Sequence, residues 1–205
     1  MSEEKRTDNF LMRTYLETIQ SIVGINGLKS VLNYGHLEKY IDAFPPCNDN
    51  LEIPVRETQT LFCSLSELFG RKGVRSLQLQ VGREIARNAL EGLPVIAKAL
   101  QVGALVLPES KKMRLFLDKL AEETEKRLPT QIELREEGDC FLYTDKDYFL
   151  SEHVVSETPV CDIFVGSLQY FMEWITGHPH HVEEIECRAM GHPADVFKIS
   201  KKRDE

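Results

Sequence analysis

Apolar residues recur at helical spacing from residue 9 to residue 128, and beyond that point they fall into short, β-branched or aromatic runs. Helices bury a stripe and strands bury a face, so a chain written in this order stacks helices first and builds a sheet afterwards. The implied class is α+β: a helical N-terminal half packed on a small antiparallel sheet with a covering helix.

The helical stretch divides at its glycines and prolines. Residues 9–23 carry Phe10, Leu11, Tyr15, Ile19, Ile22 and Val23 at helical spacing, with Asp8 or Asn9 as N-cap and Gly24 as terminator. Short helical pieces follow at 28–34 and 36–44, ending at Pro45-Pro46. Pro54 opens a helix that Gly70 closes, and further helices are expected at 74–91, 93–106 and 109–128. Strands are expected at 131–136 and 140–144, separated by Gly138-Asp139. A helix over 161–176 ends at Gly177, and strands at 182–190 and 196–200 form a hairpin around Gly191-His192-Pro193. No internal repeat is evident.

Charge and cysteine usage narrow the function. A net charge of −8 over 205 residues is no footprint for nucleic acid, which needs clustered Lys and Arg. No apolar run approaches the ~18 residues of a membrane span, and the polar start lacks a signal-peptide core. Five scattered cysteines, Cys47, Cys63, Cys140, Cys161 and Cys187, make a poor disulfide framework and suit a reducing, cytoplasmic setting.

The last hairpin holds the residues most able to carry chemistry. Cys187 and Asp195 are equidistant from Gly191, so a regular register sets them opposite one another on the face of Ile185, Phe197 and Ile199, with Glu184, Glu186 and Arg188 pointing away. A carboxylate on a core face needs a partner. Cys161, at the start of the final helix, could join Cys187 and Asp195 around Zn²⁺, with Glu136, Glu137, Asp139, His178, His180 or His181 as the fourth ligand. The competing reading makes the cysteines small buried hydrophobes and Asp195 a turn residue, and it stays open at this point. No nucleophile elbow, P-loop or dinucleotide fingerprint is present, so catalysis by the chain's own side chains has little support.

Pro159-Val-Cys161-Asp-Ile-Phe-Val-Gly166 and Val182-Glu-Glu-Ile-Glu186-Cys187-Arg-Ala-Met-Gly191-His-Pro-Ala-Asp195-Val-Phe197 resemble the closing part of the 4-vinyl reductase (hydrocarbon-binding) domain. A fainter likeness runs through Leu68-Phe69-Gly70 and Val81-Gly82, so it spans roughly residues 51–200 and leaves residues 1–50 as a helical arm before a ligand-binding domain at 51–205. The resemblance implies a fold shared with TRAPP vesicle-tethering subunits and phenol-sensing input domains, the ligand-binding fold of NO signalling and Golgi transport. It also implies a homodimer, an enclosed hydrophobic ligand and a zinc ion at Cys161, Cys187 and the Asp195 position, where the sensing domains carry cysteine.

The function implied is a sensor or carrier for a hydrophobic or aromatic small molecule, held between the final helix, the sheet and the 109–128 helix. Phe116, Leu120, Phe141, Val165, Leu168, Gln169 and Met172 are the expected pocket residues. The rivals are an enzyme or accessory of tetrapyrrole (bacteriochlorophyll) metabolism acting on a vinyl group with a borrowed cofactor, and a dimeric assembly scaffold.

Overall fold

The structure is a computed structural model and describes residues 5–92, 94–128 and 130–204. Leu93, the expected first residue of one helix, and Pro129, where the change to strands is expected, lie outside them. The chain forms two compact units, Met1–Ile85 and Ala86–Glu205.

In the first unit, β1 (Arg6–Thr7) leads into α1 (Asn9–Tyr34), followed by α2 (Lys39–Asp42), β2 (Ile53–Pro54) and the start of α3 (Val55–Gly92). Asp8 is the N-cap of α1, its carboxylate accepting the Leu11 N–H at 2.7 Å. The buried stripe is Met12, Tyr15, Leu16 and Ile19, spaced as one helix face. Gly24 breaks α1 at φ 75° and ψ 169°, and Gly70 breaks α3 at φ 70° and ψ 159°. Both glycines therefore end one helical run, as the sequence predicts, although the next begins at once.

The helix expected at 36–44 shrinks to α2, because His36 sits at φ 53°, where no right-handed helix can pass. The β1–β2 ladder was not expected. It pairs Arg6 with Pro54 and Thr7 with Ile53, and the Val55 N–H reaches the Lys5 carbonyl at 3.0 Å. Pro54 is tolerated there because a two-residue ladder asks little of its missing N–H.

In the second unit, α4 (Pro94–Ala104) and α5 (Glu109–Arg127) precede β3 (Ile132–Glu137), β4 (Cys140–Asp145), α6 (Asp162–Thr176), β5 (His180–Glu186), a single 3₁₀ turn (Arg188–Met190) and β6 (Asp195–Arg203). The sheet is antiparallel with order β3-β4-β6-β5. The last strand thus lies between the two hairpin partners instead of at an edge. α6 buries Ile163, Val165, Leu168, Phe171, Met172 and Ile175, and Gly177 caps it at φ 84°, donating its N–H to the Glu173 carbonyl. Each such fully buried side chain contributes about 1.5–3 kcal/mol of transfer free energy. Phe164 of α6 meets Phe197 of β6 and Tyr143 of β4, with ring centroids at 4.8 and 5.4 Å, which fixes the start of α6 over the sheet.

The hairpin departs from the expected strand at 182–190. β5 ends at Glu186, and residues 188–190 form the 3₁₀ turn, because the Asp195 carboxylate accepts the Arg188 N–H at 2.8 Å and bends the chain out of the ladder.

Candidate metal centre

Cys161 occupies the N-cap position of α6, Cys187 the residue before the 3₁₀ turn, and Asp195 the first position of β6. All three are fully buried. The structure gathers them with a fourth residue, Glu184, and one donor atom from each lies within 4.8 Å of all the others.

Glu184 reaches the site through a β-bulge. Glu186 pairs with Val196 and Glu184 with Phe197, so Ile185 is an extra residue in β5. An extra residue reverses the alternation of side chains along a strand. Val182 and Glu184 therefore share the inner face with Phe197 and Ile199, while Ile185 turns outward and is 43% exposed. Two expectations fall here: Ile185 leaves the core face, and Glu184 joins it. The clash was visible in the sequence, since counting by twos from Val182 puts Glu184 inside and counting back from Cys187 puts Ile185 inside.

The site is anchored by hydrogen bonds from outside the donor set. One Glu184 oxygen, Oε2, accepts the Cys161 N–H at 2.8 Å. The other, Oε1, lies buried among the thiols without a well-formed hydrogen bond. Asp195 Oδ2 accepts the Ser151 hydroxyl at 2.6 Å, and Oδ1 faces both the Arg188 N–H and the Cys161 thiol, whose sulfur is 3.7 Å away. Ser151, on the loop between β4 and α6, was not singled out from sequence because one polar loop residue carries no spacing signal.

Burial disfavours charge throughout. It pushes the Cys161 thiol far above its ordinary range, with the neighbouring Cys187 and the two acids adding to the effect. It also raises the Glu184 carboxyl, against the thiols and the Cys161 N–H, which act to lower it. Among the described residues, no lysine or arginine pairs with Glu184 or Asp195. Two carboxyls withdrawn from water, two thiols and an orphaned oxygen therefore stand together with no cationic side chain beside them.

A divalent ion fits this donor set. Tetrahedral zinc with bonds of about 2.3 Å to sulfur and 2.0 Å to oxygen sets those atoms about 3.5 Å apart. The Cys161 sulfur and Asp195 oxygen stand at 3.7 Å.

The alternatives for the fourth ligand are engaged elsewhere. Glu136 holds Lys201 at 2.7 Å, Asp139 holds Lys202 at 2.9 Å, and Glu137 is exposed. His180 is buried against Glu109, Nε2 at 3.1 Å, and the Ser200 carbonyl, Nδ1 at 3.0 Å. His181 is exposed near Glu183, and the backbone N–H of His178 caps Thr176.

The expected pocket residues gather on α5, α6 and β4. Phe116, Phe141, Val165, Leu168 and Met172 are buried, while Leu120 and Gln169 are half-buried. Phe116 packs on Phe171 and Trp174, with ring centroids at 4.9 and 6.0 Å. Lys201 lies 4.9 Å above the Phe141 ring.

The family model of the 4-vinyl reductase domain matches residues 144–201, which contain all four donors and Ser151. None of the curated proteins matches the chain. Among solved structures, the Fe(II) unliganded H-NOX protein from K. algicida is similar over 96% of this chain and 97% of its own, with TM-score 0.66 and 11% identity. A mutant of T. Tengcongensis H-NOX is similar over 97% of this chain and 100% of its own, with TM-score 0.61 and 16% identity. The phenol-responsive sensory domain of the transcription activator PoxR, solved with phenol, covers 75% of this chain and 77% of its own, with TM-score 0.57 and 14% identity. At these identities the structures establish the α+β fold and nothing finer. The chain therefore carries, over residues 144–201, a 4-vinyl reductase domain built on the fold of these sensor proteins.

Proposed function

We propose that the protein is a small-molecule-binding module, a sensor or carrier for a hydrophobic or aromatic ligand, whose Cys161, Glu184, Cys187 and Asp195 hold a structural zinc ion. The observation that carries the reading is the convergence of four donors from three separate segments inside the family match. Zinc would supply the missing positive charge and tie the start of α6 to the β5–β6 hairpin, with the protein filling all four positions. Ser151 and the Arg188 N–H orient Asp195, as outer partners of a ligating carboxylate do.

The ligand belongs, in this reading, among Phe116, Leu120, Phe141, Val165, Leu168, Gln169 and Met172, where apolar walls meet one amide that could orient a polar substituent. PoxR is solved with phenol, and that relative supports an aromatic ligand. The module acts as a homodimer. No helix among the described residues is long and apolar enough to cross a membrane.

Native mass spectrometry of the purified chain tests all three parts. The expected spectrum shows a dimer carrying one zinc per subunit and a retained apolar molecule. Zinc that is absent from freshly purified protein, and that does not bind when supplied, would remove the metal reading. A retained tetrapyrrole would move the function to pigment metabolism.

A further inference from the structure

The family match leaves the first unit unexplained, and that unit contains a cavity. The helix breaks in α1 and α3 share one local sequence pattern, Ile22-Val23-Gly24-Ile25-Asn26-Gly27-Leu28 and Leu68-Phe69-Gly70-Arg71-Lys72-Gly73-Val74. Their first glycines adopt nearly the same backbone angles. At these two breaks lies a cavity of about 270 Å³, walled by the side chains of Ile22, Val23, Phe69, Val74 and Leu77. Ser76 adds one hydroxyl, and Gly73 adds bare backbone.

Gly73 shows that the space is kept open. It has no positive φ, and a Cβ built on it would meet nothing nearer than the Phe69 Cβ at 3.6 Å, an ordinary contact. Alanine would therefore fit, and would favour the helix by about 1 kcal/mol. Gly27 differs, since a Cβ there would press within 2.8 Å of the Val23 side chain that walls the cavity. One glycine preserves the void and the other preserves its wall.

The lining selects the occupant. It offers no charge and one hydroxyl, too few partners for ordered water, which needs two to four. The volume lies between the ~150 Å³ of an apolar cavity that admits benzene and the ~300 Å³ at which drug-sized pockets begin. Ile22 and Phe69 remain 49% and 44% exposed, so the mouth is apolar and open to solvent. We propose that this cavity binds a small uncharged apolar molecule of about one ring, within the first unit and independently of the pocket on α5, α6 and β4.

The test is a toluene titration of the full chain with labelled Ile, Val, Leu and Met methyl groups. Saturable shifts at Ile22, Val23, Val74 and Leu77 are expected. Gly73→Ala should weaken binding several-fold while melting higher, and Gly73→Leu should abolish those shifts. Shifts confined to Val165, Leu168 and Met172 would overturn this proposal and leave the functional reading standing; shifts confined to the first unit would do the reverse. Shifts at Ile22 and Leu77 that follow protein concentration without toluene would overturn it in favour of a contact between copies, and no shift anywhere would end both.

Discussion

Asp195 shows how much a single carboxylate can be asked to do. It stops β5 by taking the Arg188 N–H, holds Ser151, and turns its remaining lone pairs toward Cys161. Replacing Ser151 with alanine is expected to leave the fold intact and weaken zinc binding about 10- to 100-fold, read by competition with a chromophoric chelator. Glu184 carries the opposite balance: in the metal-free chain its largely buried carboxyl is a burden, which is why its pKa rises. Glu184→Gln should therefore melt higher than the parent without metal and gain little when zinc is added, as measured by thermal denaturation of both forms. Cys161, Cys187 and Asp195 were legible because hairpin symmetry about Gly191 pairs the last two. Glu184 was hidden because its inward orientation depends on a bulge that changes parity.

Two kinds of local device hold the elements. Gly24 and Gly70 occupy backbone conformations essentially closed to residues with a Cβ. Alanine at either is expected to cost about 1–3 kcal/mol in urea denaturation, although neither position is sterically crowded. In the second unit, Arg203 of β6 forks onto Glu109 at the start of α5, with bonds as short as 2.6 Å, and His180 of β5 closes on the same carboxylate. Arg203 chiefly, and then the histidines at 180 and 178, hold the Glu109 carboxyl below its ordinary range. A depressed carboxylate stabilises the fold above its unfolded pKa, and that stability is lost as pH falls through the folded value. Arg203→Met should therefore flatten the acid limb of the melting curve below neutral pH, by a small amount because the pair is largely solvated.

At the scale of the molecule, the proposed metal acts on one region. Chelation of zinc-loaded protein is expected to lower amide protection in β5, β6 and the first turn of α6, with the Met12, Tyr15 and Leu16 segment of α1 unchanged, as read by hydrogen exchange. Equal loss of protection in both regions would show that the ion does not act locally. The amino-acid order alone determined the helices, their glycine stops, both hairpins and the α+β class, because caps, turns and periodicity act between residues close in the chain. Three-dimensional packing decided that β6 sits inside the sheet, that Ile185 bulges, and that Cys161 and Ser151 meet the hairpin. Those outcomes follow from side chains far apart in sequence competing for one buried face, which local spacing does not encode.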